Sequence, residues 1–205
     1  MSAERTLLEL SQTPKLKRYA ALLREWNPKI NLVSPSTLPE LELRHIADSA
    51  QLVADLPETP CHVADVGTGA GFPGLVLTTL CPHHTFTLIE SDSRKAAFLM
   101  TVIQELQLKN VQVKNQRVED VQLSPLADYV TARAFAPLER LLPQTRHLLH
   151  EKGAWLLLKG EAVDIELRAC ETLFPMTTTV KPSKIMLKEN GIERPAGVVV
   201  QIKPS

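Results

Sequence analysis

The densest chemical signal in this 205-residue chain is the run Asp65-Val66-Gly67-Thr68-Gly69-Ala70-Gly71-Phe72-Pro73-Gly74. It follows a short apolar stretch and opens a segment with helical character. Glycines at such a turn let the backbone pass close to a ligand and adopt positive φ. In an open α/β sheet, ligands sit beyond the carboxyl ends of the strands, where this turn would lie. Three readings compete. Gly69 to Gly74 satisfies G-x-G-x-x-G, the dinucleotide fingerprint, which sets a pyrophosphate at a helix N-terminus. The longer pattern D-x-G-x-G-x-G adds Asp65, and an acid at a strand end suits a cationic ligand. S-adenosylmethionine carries an ammonium and a sulfonium and no phosphate. A purely structural turn is the third reading. On the second, Asp65, Gly67, Gly69, Gly71 and Phe72 line a donor site.

Other polar residues fall where a sheet of this type needs them. Glu90 closes the next strand, where a carboxylate can accept both hydroxyl protons of a ribose. The alternative is a helix-capping role beside Ser91, Asp92 and Ser93. Val118 and Glu119 follow a third strand, at the corner that meets an adenine edge, or form a simple turn. Arg133 ends a fourth strand and could hydrogen-bond a base carbonyl or a phosphate, or pair with Glu119. Lys159 ends a fifth strand and could bind phosphate. His45 and Asp48 lie three apart on the polar face of an amphipathic helix, and Arg44 with Asp48 forms an i,i+4 pair. Asn31 could read a base edge or cap its loop. Trp26 reads as core.

These residues need elements to hold them. Residues 2–27 read as helical with a break near Pro14. Residues 27–39, with three prolines, read as loop. Residues 38–56 read as one amphipathic helix with Leu43, Ile46, Ala47, Ala50, Val53 and Ala54 on one face. Strands are expected at 62–66, 85–89, 111–116, 128–134 and 154–158. They alternate with helices at 72–81, 93–107, 138–150 and 162–174, and late strands fall at 178–187 and 198–202. This alternation implies an α/β fold, a mainly parallel seven-stranded Rossmann-like sheet with an antiparallel edge hairpin. Residues 1–56 form a helical extension capping residues 57–205, since so short a segment makes a marginal core alone.

Bulk properties narrow the class. Net charge is zero, but residues 1–31 hold six Lys/Arg against three Asp/Glu, and residues 177–205 hold five against two. A phosphate-bearing partner could meet both basic ends if they lie together. Ordinary solvated side chains are the alternative. Cys61, Cys81 and Cys170 are widely spaced, which suits reduced buried thiols rather than a disulfide or zinc framework. No apolar run is long enough to span a membrane, and Met1 to Leu10 lacks a secretory apolar core. A cytoplasmic location without metal is expected.

The glycine turn with its leading acid resembles motif I of the Rossmann-like methyltransferases. The whole set resembles the RsmG (GidB) family of bacterial 16S ribosomal RNA guanine-N7 methyltransferases. The stretches that carry this are Trp26-Asn27…Asn31-Leu32, Arg44-His45-Ile46-Ala47-Asp48-Ser49, Asp65 through Gly74, Leu88-Ile89-Glu90-Ser91, Arg117-Val118-Glu119, Arg133-Ala134-Phe135-Ala136 and Leu158-Lys159-Gly160. The family often has Asn-Leu-Thr where this chain has Asn31-Leu32-Val33, and here Arg194 is separated from the last strand by Pro195-Ala196-Gly197.

The resemblance implies a guanine in helix 18 of 16S rRNA as substrate, within a small-subunit particle, and a usually monomeric enzyme. It implies donor contacts at Gly67, Phe72, Val118, Glu119 and Arg133, with Asp65 and Glu90 at the same pocket. Asn31, Arg133, Lys159 and Arg194 fall on the RNA side. Guanine N7 has an in-plane lone pair and no proton to lose, so no general base is expected. Arg133, His45 and Asp48 would act by positioning.

Overall fold

The computed structural model describes residues 3–160, 162–171, 175–189 and 191–205. Nine strands and seven α-helical segments follow one another in it. Helix α1 (Ala3–Ser11) ends ahead of Pro14, which takes the first position of α2 (Pro14–Ile30). Proline is tolerated there because that N–H has no intrahelical partner. Helix α2 runs through Pro28 and ends at Asn31, which adopts the left-handed conformation at φ 48°. The expected loop at 27–39 is therefore shorter than read. Its second half, Pro35–Glu40, is a 3₁₀ helix.

The expected single amphipathic helix at 38–56 is three kinds of helix in series. A π-helical turn (Glu42–Ala47) passes into α3 (Asp48–Ala50) and then a 3₁₀ turn (Gln51–Asp55). A π-turn holds an extra residue and rotates the faces on either side of it. Ile46, Ala47 and Ala50 are buried as expected, whereas Ala54 is exposed and Asp48, assigned to the polar face, is buried.

Five parallel strands form the heart of the sheet: β1 (His62–Val66), β2 (Thr85–Ile89), β3 (Val111–Lys114), β4 (Ala127–Arg133) and β5 (Leu149–Lys159). Between them run α4 (Gly74–Leu80), α5 (Ser93–Glu105) and α6 (Leu138–Thr145), and α7 (Val163–Glu171) follows β5. Asp92 caps α5 by accepting from the Arg94 and Lys95 N–H groups. Strands β6 (Met176–Pro182) and β9 (Val198–Pro204) complete the order β3-β2-β1-β4-β5-β9-β6. Strand β9 runs antiparallel to both neighbours, so the expected edge hairpin is present. A separate hairpin, β7 (Met186–Glu189) with β8 (Ile192–Pro195), rises between its arms. The sequence reading had merged β6 and β7 into one strand.

Three buried apolar clusters pack on the sheet among the described residues, one of them around Leu52, Leu77, Phe86 and Leu156, and the other two flank the site. One packs α6 and α7 against Ala64, Val130, Leu157 and Val200. The other joins Leu16, Tyr19, Leu23, Leu41 and Ile46 to Phe72, Leu75, Leu88 and Phe98, and takes in Ile185 and Leu187 from the C-terminal region. Trp26 packs on its edge, 5.6 Å from the Phe98 ring, as the core reading expected. Strand order reverses between β1 and β4, which opens a crevice at their carboxyl ends. No helix among the described residues is long and apolar enough to cross a membrane.

Candidate active site

The glycine turn sits at that crevice. Gly67, Gly69 and Gly71 have φ of 59°, 57° and 103°, a region that side chains with a Cβ disfavour. Gly67 is further constrained by contact: a Cβ there would lie 2.2 Å from Cδ2 of Phe135. At Gly74 the constraint is proximity alone, since a Cβ would meet Leu88 at 2.3 Å and the Asp65 carboxylate at 2.6 Å.

Asp65 lies beneath this turn. It is fully buried, opposite Thr131 in the β1–β4 register. One oxygen accepts from the Thr131 hydroxyl at 2.8 Å and the other from the Gly74 N–H at 3.0 Å. Burial pushes its pKa up to about 6. The expectation that Asp65 presents charge to a ligand is corrected on this point: the carboxylate faces the protein and fastens the turn to the sheet. Glu90 holds the same turn from the second strand. Its Oε2 accepts from the Gly69 N–H at 2.9 Å and its Oε1 from the Asp92 N–H at 2.8 Å. Each carboxylate oxygen has two lone pairs, so a ribose hydroxyl can still reach this rim. Tyr19, fully buried, donates to the Ala70 carbonyl at 2.6 Å and ties α2 to the turn.

Val118 and Glu119 stand across the crevice in a 3₁₀ turn that separates β3 from β4. With Ser91, Phe135 and Ala136 they line a cavity of about 190 Å³. Glu119 is exposed and accepts from Gln144, not from Arg133. The proposed Arg133–Glu119 ion pair is therefore absent. Arg133 turns the other way: its Nη2 donates to the Arg44 carbonyl at 2.7 Å, and its Nε lies 3.7 Å from Oδ2 of Asp48. Nη1 is buried without a hydrogen-bond partner among the described residues. The guanidinium sits 6.0 Å from the centre of the Phe72 ring, on which His45 stacks at 5.2 Å. Asp48 accepts from Gln51 at 2.7 Å and from Ser183 at 3.2 Å. Burial raises its pKa, against the opposing charge of Arg133.

His45 is neutral. Burial, then the positive charges of Arg133 and Arg44, holds its pKa down at about 3. Its Nε2 lies 2.9 Å from the Thr37 hydroxyl. A neutral ring at that position can shape the site and cannot serve as an acid near pH 7.

The RNA-side residues are more dispersed. Lys159 is not a free phosphate hook, because its Nζ contacts Oε2 of Glu166 at 2.6 Å and donates to the Ala136 carbonyl at 3.0 Å. Asn31 is exposed and closes α2 through its backbone, while Asn27 is the residue that caps the loop, accepting from the Val33 N–H at 2.8 Å. Arg194 is exposed on β8, three residues from Gly197 at the site. The C-terminal basic end is fastened to the turn at residue 51, outside residues 1–31. Gln51 donates to the Ser183 hydroxyl and accepts from the Lys184 N–H, both at 3.0 Å. Lys15, Lys17, Lys29 and Lys184 are exposed and carry no ion pair among the described residues.

Sequence reasoning missed Tyr19, Thr131, Gln51 and Ser183 as parts of this site. None stands in a local motif, and each acts through a partner distant in the chain. Among the described residues, no group of three or more His, Cys, Asp or Glu could hold a metal ion.

The reversed strand order, the left-handed glycines and an acid at the second strand tip define the class: a Rossmann-like methyltransferase of the S-adenosylmethionine-dependent type. Solved structures agree on the fold. Magnesium protoporphyrin IX methyltransferase from Synechocystis superposes with a TM-score of 0.61 at 12% identity, covering 90% of this chain and 97% of that one. TYW2 from M. jannaschii gives 0.58 at 19% identity, covering 79% and 77%. Sequence resolves the family. Residues 12–194 match GidB, rRNA small subunit methyltransferase G. Ribosomal RNA small subunit methyltransferase G of Gluconobacter oxydans is 44% identical over 83% of this chain and 86% of its own length. That of Paramagnetospirillum magneticum is 42% identical over 92% and 87%. The chain belongs to this family.

Proposed function

We propose that this protein transfers a methyl group from S-adenosylmethionine to N7 of a guanine in helix 18 of 16S rRNA. The observation that carries this reading is the glycine turn, clamped by Asp65 and Glu90, facing the Val118–Glu119 cavity across the β1–β4 crevice. The residues fit the donor: the close-passing backbone of the glycine turn at Gly67, the Glu90 rim for a ribose, and the Val118 turn for an adenine. When bound, the donor supplies an electrophilic methyl on sulfur.

The protein's own contribution is positioning. Arg133 is held by the Arg44 carbonyl and Asp48, and Phe72 and His45 form an aromatic floor beneath its guanidinium. Such fixed geometry can lower a barrier by as much as ~7–11 kcal/mol. The neutral His45 and the paired Asp48 agree with chemistry that removes no proton from the base. Residues 1–56 act as a cap on residues 57–205, supported by the shared core around Tyr19 and Phe72. The basic side chains of the two end segments suit an RNA partner, and Asn31 and Arg194 are assigned to its rim. The enzyme acts as a cytoplasmic monomer on the small-subunit particle.

Mass mapping of rRNA nucleotides from cells with and without the gene tests this. Loss of one methyl on a helix 18 guanine is expected, with restoration by the plasmid-borne gene. An unchanged helix 18 overturns the target.

A further inference from the structure

The segment Arg133–Ala136 divides the crevice. On one side is the small cavity at Val118 and Glu119. On the other is a larger chamber of about 380 Å³, at the carboxyl ends of β4 and β5, which shares only Arg133 with the implied donor contacts. Phe135, resting on Gly67, belongs to the first, while Arg133 and Ala134 face the second. Ala134 stands at φ 50°, so the chain bends sharply between the two.

The chemistry of the larger chamber is specific. Two cations, Arg133 and Lys159, and two acids, Asp48 and Glu166, line it together with Leu158 and Val198. A phosphate would need a positive surplus, and here the charges balance. A flat polar heterocycle with acceptors on one edge and donors on the next matches it better. Guanine has that pattern: its O6 and N7 accept, and its N1–H and N2 amino group donate. Adenine reverses the Watson–Crick donors, and no carboxylate could accept from its N1.

The groups are poised for this. Arg133 Nη1 is a buried N–H with no partner among the described residues, which is costly unless an acceptor arrives. Glu166 commits only Oε2, to Lys159 at 2.6 Å and to the Leu138 N–H at 2.9 Å. Its Oε1 takes no hydrogen bond among the described residues. We infer that this chamber is the binding pocket for the target guanine, with Arg133 donating to the keto edge and Glu166 accepting from the amino edge. This deepens the methyl-transfer reading and rests on it for the identity of the base as an RNA nucleotide. It makes Glu166 a specificity-determining residue.

Gly160 offers a clean probe. It lines the chamber, yet a Cβ placed on it meets nothing within 4 Å. Gly160→Val therefore adds bulk at the chamber wall without crowding the fold. Two measurements separate the pocket from the wider reading. The first is NMR titration with guanosine in the presence of saturating S-adenosylhomocysteine. Guanosine should shift the Gly160 and Gly197 amides in the unmodified protein, adenosine should not, and Gly160→Val should abolish the shifts. The second is methyl transfer to a helix 18 hairpin. Gly160→Val should lower kcat/KM by about tenfold to a hundredfold, with donor Kd and Tm unchanged, and Glu166→Gln should narrow the preference for guanosine over inosine at the target by about tenfold. Guanosine shifts elsewhere, equal response to adenosine, or a donor Kd that rises with Gly160→Val would overturn the pocket. Guanosine binding in the chamber without transfer to the hairpin would spare the pocket and defeat the methyl-transfer reading instead.

Discussion

The two halves of the crevice are built on opposite plans. On the donor side, one ten-residue turn supplies the surface, and its supports are complete: Asp65 and Glu90 each engage two partners, and Tyr19 secures Ala70. On the substrate side, the surface is assembled from Asp48, from Arg133 and Ala134, from the end of β5 with Glu166, and from residues 196–198, and it keeps an unmet Arg133 N–H. A site for a common donor can be a local motif. A site for one nucleotide is gathered from across the chain and retains unsatisfied groups for the ligand to meet.

The largest effect that would break this contrast is at Gly67. Gly67→Val places a β-branched residue at φ 59° and drives it into Phe135. Donor binding measured by calorimetry should be lost while far-UV circular dichroism stays native. Normal donor heat in that variant would show that the turn is not the donor surface. Next comes Asp48→Ala, which leaves Arg133 buried beside an empty space. A loss of about 3 kcal/mol in urea unfolding is expected, the low end for a broken buried pair because this one is partly solvated. Transfer to RNA should suffer more than donor affinity.

The donor half was legible in sequence because its signal is local. Glycine spacing, the strand before it and the acid at the next strand tip are all read within thirty residues. What sequence could not show was the direction of Asp65, since Thr131 lies sixty-six residues on and pairs only through the sheet. The substrate half was legible as residue types and not as geometry. Arg133 was read as a donor to a base carbonyl or a phosphate, with a pair to Glu119 as the alternative, but the π-turn at Glu42–Ala47 carries Asp48 and the Arg44 carbonyl towards it. That turn breaks helical periodicity, so pattern counting placed Asp48 on a solvent face. Lys159 was identified by position, and its partners, Glu166 and the Ala136 carbonyl, lie on elements that no spacing rule connects.

A smaller effect sharpens the comparison through pH. The folded-state pKa of His45, about 3, lies below its ordinary value of 6.5. Its neutral form stabilises the fold fully above about pH 6.5, and that contribution falls away as pH drops towards 3. Asp65, raised to about 6, runs the other way: its contribution is complete below about 3.8 and is lost as pH rises through 6. Comparing the protein with its His45→Gln variant isolates the substrate side. The variant should lose less stability between pH 7 and pH 5 in urea titrations, and parallel curves would contradict the burial of His45.

The smallest expected change is Tyr19→Phe. Losing the bond to the Ala70 carbonyl should cost about 1 kcal/mol, read as a lower Tm, with donor affinity weakened a few-fold. An unchanged donor affinity would mean that the turn does not depend on α2.

That same Tyr19 contact bears on the order in which the chain can mature during synthesis. Its acceptor is fifty-one residues downstream, so the first helices leave the ribosome long before the carbonyl they must meet exists. Until β1 and its loop emerge, the apolar stripe of α2 has no permanent surface to cover it and must wait in a provisional state. A nascent chain stalled before residue 74 should therefore be digested readily within α2, and protection there should arrive together with the ability to hold the donor.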